Sequence, residues 1–226
     1  PAITDAGKER GYINLLNDAM LELYRRGGSP VHIEYETNYS NDYSVEKLPE
    51  VNVTHRVTPT EKRPELPIGR VAIYVRAHKR WSHELTDSVD EFCEKYDGVV
   101  LCDHITNYQG RYGVYYSLLT SQADKSYPCA SPQTVIYIGD ISSAYPKNFH
   151  FSDVWRVCLD GELRDVLRKY GGRQKYVFEM DEQTFFSIYN SMQEKRAATH
   201  YFDEWKQTLE HLENQIPPLP FSNLWV

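Results

Sequence analysis

No stretch of this sequence approaches the ~20 consecutive apolar residues that a helix needs to cross a membrane, which argues against a helical membrane protein. Basic residues are in deficit, 25 against 32 acidic, for a formal charge of −7. That balance argues against binding nucleic acid or an anionic lipid surface. The segment from Pro1 to Arg10 is polar and mixed in charge, unlike a signal peptide. Cys93, Cys102, Cys129 and Cys158 form no Cys-x-x-Cys pair, and neither a disulfide framework nor a metal site is predicted from them. They read as core thiols in a reducing, cytoplasmic setting. The histidines are scattered, and His83-Glu84 is not followed by a second histidine at zincin spacing. Gly-x-Gly-x-x-Gly, Gly-x-x-x-x-Gly-Lys-Ser/Thr and Gly-x-Ser-x-Gly are all missing. Their absence removes the usual dinucleotide fingerprint, phosphate loop and nucleophile elbow.

What the sequence does have is alternating hydrophobic periodicity. Ile13, Leu16, Met20, Leu23 and Tyr24 predict an amphipathic helix over 8–26, stopped by Gly27-Gly28. A short strand is expected over 30–35. Residues 36–67 are polar and proline-dotted, a linker of about thirty residues, longer than an ordinary loop. Apolar runs at 71–75, 98–102, 134–138, 154–159 and 176–180 then predict strands covered on both faces. Between and after them, helices are expected over 82–96, 110–121, 161–170 and 182–193, with Asp160 and Asp181 as N-caps. Phe202, Trp205, Leu209 and Leu212 predict a last helix over 199–214, closed by Pro217-Pro218. Strands alternating with helices imply a parallel sheet, and the expected fold is a Rossmann-like, doubly wound α/β domain with helical N- and C-terminal extensions.

In such a sheet, ligands bind beyond the carboxyl ends of the strands. Those ends carry Arg76 and His78, Asp103 and His104, Gly139 and Asp140. Together they define a candidate pocket, with Lys79 and Arg80 adding charge for an anion or a nucleotide-like ligand. The same residues also serve as helix caps and solvated loop positions, and the sequence leaves both readings open.

The order of the pieces resembles the thiamine-diphosphate-dependent enzymes. A helix followed by Gly27-Gly28-Ser29-Pro30-Val31-His32-Ile33 resembles the end of their pyrimidine-binding domain. Val135-Ile136-Tyr137-Ile138-Gly139-Asp140 and Asp160-Gly161-Glu162-Leu163-Arg164-Asp165 resemble strands and turns of their central domain. The helix around Trp205 and Phe221-Ser222-Asn223 resemble the connection to their diphosphate-binding domain. Within the family the likeness is to the menaquinone-pathway synthases and their relatives, which are transferases.

The resemblance implies four parts: 1–35, the tail of a pyrimidine-binding domain; 36–65, a linker; 66–195, a central α/β domain; and 196–226, a connector. The first residue is not Met and the last stretch, Phe221 to Val226, is apolar, which predicts a piece of a longer protein. The resemblance further implies a parent that is a homodimer or tetramer, uses thiamine diphosphate and Mg²⁺, and joins 2-oxo-acid decarboxylation to carboligation. This sequence departs from the family in having no Gly-Asp-Gly; its nearest string is Gly139-Asp140-Ile141. No catalytic, cofactor-binding or metal-binding residue is therefore expected here, and the piece alone is predicted inactive. The alternative is a stand-alone or regulatory domain for a nucleotide-like or aromatic-acid ligand.

Overall fold

The computed structural model describes residues 6–34, 41–42, 44, 46–47, 50–122, 126–140, 148–163, 173–192 and 196–217. Among these residues seven strands form one sheet, in the order β1-β7-β6-β5-β2-β3-β4. They are β1 (His55–Val57), β2 (Val71–Val75), β3 (Gly98–Cys102), β4 (Gly113–Tyr115), β5 (Thr134–Ile138), β6 (Asp153–Cys158) and β7 (Arg173–Glu179). Every neighbouring pair is parallel. Four α-helices accompany them: α1 (Ala6–Glu22), α2 (His83–Tyr96), α3 (Glu182–Ser191) and α4 (Tyr201–Glu213). From β2 the chain builds outward through β3 and β4. It then returns to the other side of β2 and builds β5, β6 and β7 in the opposite direction. The junction of β2 and β5 is thus a topological switch point, where adjacent connections leave on opposite faces and open a crevice.

The central strands are apolar on both faces because both are covered. Along β2, Val71, Ile73 and Val75 pack into one cluster with Phe92 of α2 and Phe185 and Phe186 of α3. Ala72 and Tyr74 point the other way, toward Trp205 and Leu209 of α4. Trp155 and Trp205 are fully buried, and removing such a side chain from water contributes ~1.5–3 kcal/mol or more each. The helix ends follow local chemistry. The Ser82 hydroxyl accepts from Leu85 N–H at 3.1 Å to open α2, and Asp181 accepts from Thr184 N–H at 2.8 Å to open α3.

The Rossmann-like reading holds at the level of a parallel α/β sheet with flanking helices. Several elements differ from expectation. The helix expected over 110–121 is instead β4 followed by one π-type turn, Leu118–Gln122. Val100 N–H donates to Tyr112 O at 2.8 Å and Tyr116 N–H to Cys102 O at 3.3 Å. A helix there would leave these buried groups of β3 without partners.

Residues 55–57, expected inside a linker, form edge strand β1 against β7. The helix over 8–26 ends at Glu22. A short 3₁₀ turn, Arg25–Gly27, follows, and Arg26 sits at φ 50° within it. Gly28 has φ 93°, and a Cβ there would lie 2.7 Å from Leu23 O, so only glycine fits the exit. Residues 30–34 join no strand. Residues 164–170 of the helix expected over 161–170 lie outside the described residues, as do Arg164-Asp165 and Phe221-Ser222-Asn223. The Asp160 carboxylate accepts from Glu162 N–H at 3.2 Å. Helix α1 docks beside β7 through Leu21, which packs with Val177 and Leu163, and Asn17 Oδ1 accepts from Thr54 N–H at 3.0 Å.

Candidate functional site

The carboxyl ends of β2, β5 and β6 open on a groove of about 410 Å³. Ala77 to Lys79 form one wall, Gly139 and Asp140 the floor, and Arg156 to Asp160 the other wall; Asp181 and Glu182 of α3 and Arg26 close it. A second recess of about 390 Å³ shares Ala77, His78, Lys79 and Asp140 and adds His104, Ile105 and Asn107. Both volumes lie within the range that holds a small ligand.

The floor is fixed by backbone. Arg76 N–H donates to Ile138 O at 3.2 Å at the end of the parallel β2–β5 pairing, and just past it Asp140 N–H donates to Ala77 O at 2.8 Å in an isolated antiparallel bridge. Gly139 takes φ +80°, and a Cβ there would lie 2.8 Å from Ala77 O. Glycine is the residue that lets the two backbones meet at this point.

His78 spans the mouth. Its Nδ1 lies 2.7 Å from Lys79 O and its Nε2 2.7 Å from the Glu182 carboxylate. Neither acceptor brings a proton, so the ring carries one on each nitrogen. Burial opposes that charge, but the hydrogen bond and charge of Glu182, helped by the Lys79 carbonyl, outweigh it and raise the His78 pKa. The ring packs on Trp81, centroid to centroid 4.6 Å, and Trp81 Nε1 donates to Thr106 O at 2.8 Å.

Of the six residues that the sequence assigns to a pocket, His78, Gly139 and Asp140 line the groove and His104 the recess beside it. Arg76 and Asp103 line neither. Arg76 is fully buried; its Nη1 donates to Tyr74 Oη at 2.6 Å, and Tyr74 Oη lies 3.1 Å from Tyr116 Oη. Asp103 Oδ1 accepts from Ile105 N–H at 2.9 Å and Thr106 Oγ1 at 3.0 Å, which closes the turn after β3. Alternation along β2 explains the first: Arg76 continues the Ala72–Tyr74 face, whereas the chain beyond it turns to the crevice. Arg80 is exposed and lines neither cavity.

Sequence reasoning missed Arg156. It is 2% exposed, inside β6 two residues before its end, with its guanidinium 4.4 Å from the centre of the Tyr137 ring. Nη1 donates to Gly139 O at 2.8 Å and to Tyr137 O at 3.5 Å. The signal was present as a lone charge inside the run Val154-Trp155-Arg156-Val157.

The groove also carries a thiol. Cys158 lines it, but burial pushes its thiol up to about 11, so it stays protonated at neutral pH and is a poor nucleophile. Its Sγ donates to Glu162 O at 3.4 Å. Among the described residues no group of three or more His, Cys, Asp or Glu is placed to hold a metal ion. At Gly139-Asp140, the string in this sequence nearest to Gly-Asp-Gly, the Asp140 N–H is committed to Ala77 O. No protein-family model matches this chain, and no curated protein does either.

Proposed function

We propose that this chain is the central, non-catalytic α/β domain of a thiamine-diphosphate-dependent enzyme. In this reading it is a scaffold between a pyrimidine-binding and a diphosphate-binding domain of a 2-oxo-acid decarboxylase and carboligase resembling the menaquinone-pathway synthases, working in the cytoplasm as a homodimer or tetramer. The observation that carries the reading is the state of the strand-end crevice. Where a doubly wound sheet presents its chemistry, His78 is held by Glu182 and Arg156 by the Gly139 carbonyl, and among the described residues the Cys158 thiol that lines the groove is not activated. The four free cysteines suit a reducing compartment.

In such an enzyme the cofactor acts as the electron sink and protein groups position it. This chain's residues would contribute none of that positioning. Incubated with thiamine diphosphate, Mg²⁺ and 2-oxoglutarate, the chain is expected to show no turnover and no rise in melting temperature; either result reversed overturns the reading. The coding frame gives an independent check. It should carry a Gly-Asp-Gly motif downstream and a glutamate-bearing α/β domain upstream.

A second reading has its own observation, the groove of about 410 Å³ at the switch point. It makes the chain a ligand-binding or regulatory domain for a nucleotide-like molecule or an aromatic acid. Calorimetry with FAD, ADP and a naphthoate tests it, and heat from none of them removes it.

A further inference from the structure

The formal charges around the groove balance, with Arg26, His78, Lys79 and Arg156 facing Asp140, Asp160, Asp181 and Glu182. Their hydrogen-bonding capacity does not. Asp181 is taken up by Thr184, through both its N–H and its hydroxyl. Glu182 is paired with His78, and Asp160 accepts from Glu162 N–H. The donors are less committed. Arg156 is nine-tenths buried and more, yet among the described residues it meets two backbone carbonyls and a tyrosine face, and its Nε has no acceptor there. A buried guanidinium is ordinarily matched by a carboxylate or another anion, because desolvating the charge is otherwise costly. No carboxylate lies within ion-pair distance of it among the described residues. Lys79 is exposed at the rim, close enough to His78 to act on its charge. Arg26 holds a left-handed backbone, φ 50°, at the opposite rim, a conformation that is costly for a non-glycine residue.

From this excess of donors we propose that the groove binds the phosphate or diphosphate group of a small molecule, with Arg156 as the buried anchor and Lys79 and Arg26 as the rim. Guanidinium groups match phosphate oxygens in a planar, two-bond geometry, and a lysine adds a point charge. His78, held between the Glu182 carboxylate and the Lys79 carbonyl, forms a fixed wall of the groove. Gly139 brings the β5 backbone, whose carbonyl holds Arg156 Nη1, against Ala77, so the anchor sits on a rigid floor. This inference rests on the second reading above and adds the chemistry of the ligand and the residues that take it.

Inorganic pyrophosphate, inorganic phosphate and a naphthoate, titrated separately at low ionic strength, form the test, read by calorimetry and by amide shifts at Lys79, Gly139 and Cys158. Pyrophosphate is expected to bind and to bind more tightly than phosphate. Lys79→Gln should weaken it by roughly three- to tenfold, and Arg156→Gln by roughly ten- to a hundredfold, the range of one charge-assisted hydrogen bond. Arg156→Gln must first show cooperative melting; if it does not fold, Lys79→Gln and Arg26→Gln together carry the test, because both sites are exposed. Binding that ignores all three substitutions places the anion elsewhere and overturns the inference. Naphthoate binding at these amides without pyrophosphate binding overturns the phosphate assignment and leaves the ligand-binding reading standing. Silence from all three ligands removes both.

Discussion

His78 and Glu182 meet at 2.7 Å across the mouth of the crevice, and this one contact ties the loop after β2 to the first residue of α3. The pair joins two elements 104 residues apart in the chain. Its charge state therefore decides how firmly one rim of the groove is held against the other.

That contact makes stability depend on pH in a defined direction. The folded state raises the His78 pKa above its unfolded value, burial opposing and Glu182 prevailing. The contribution is thus fully present below about 6.5, the unfolded value, and is lost as pH rises through the folded pKa. Melting temperature measured from about pH 5 to about pH 9 should fall over that window relative to His78→Asn, which has no such slope. Glu182→Gln should bring the ring's titration, followed by NMR, back down. A ring that titrates at the same pH in both proteins would show that Glu182 is not the cause.

Lys95 closes a helix other than its own. Its Nζ donates to Tyr189 O at 3.2 Å, Asn190 O at 2.5 Å and Met192 O, the last carbonyls of α3. These are groups a helix leaves without partners and where its dipole favours a cation. Lys95→Met keeps the stem and removes the charge. It should cost about 1–3 kcal/mol in chemical denaturation, with amide exchange quickening first at the end of α3.

Asp97 does two jobs at once. It ends α2 in a left-handed conformation, φ 53°, and its carboxylate accepts from Thr199 N–H at 2.8 Å and Tyr201 N–H at 3.3 Å, where His200 supplies no side-chain cap for α4. Asp97→Gly retains the turn and loses the cap; Asp97→Ala loses both. Urea titrations should place both variants below the parent, with Ala lower than Gly by about 1 kcal/mol. Equal losses would mean that the backbone conformation contributes nothing.

Gly139→Ala combines a φ of +80° with a Cβ placed 2.8 Å from a backbone oxygen that is itself hydrogen-bonded to Asp140. The neighbour cannot yield without breaking the crevice floor, so a loss of about 2–4 kcal/mol is expected. Any small-ligand binding at the groove should weaken with it.

Much of the sheet was legible because its central strands bury both faces. Val71–Val75, Gly98–Cys102 and Thr134–Ile138 read as uninterrupted apolar runs, and each strand has those bounds. What failed was non-local. The segment Gly113-Val114-Tyr115 lies among residues that also suit a helix, and only the open edge of β3 selects a strand. His55-Arg56-Val57 carries almost no periodic signal, and its partner Tyr176-Val177-Phe178 lies far along the chain.

The candidate site divided in the same way. Strand ends pointed to His78, Gly139 and Asp140, and the structure places all three along one crevice. They could not tell that Arg76 faces inward with Tyr74, since a strand's last residue turns on the geometry of its own end. Arg156 hid inside a strand that otherwise reads as core, and the residues beside it in space, Gly139 and Tyr137, come from the neighbouring strand.

Edge strand β1 carries a consequence for the order of assembly. Arg56 is fastened to Glu179, 123 residues away, and Thr54 Oγ1 donates to Gln174 O across a similar span. Contacts of such long loops are slow to close, since the chain between them must first lose its freedom. The strand that leaves the ribosome first among those described is therefore among the last to find its place. Until β7 exists, residues 50–57 have no template, and their exposed Val51 and Val53 are open to other chains. Refolding followed at His55 or Arg56 should lag behind refolding followed at Trp155.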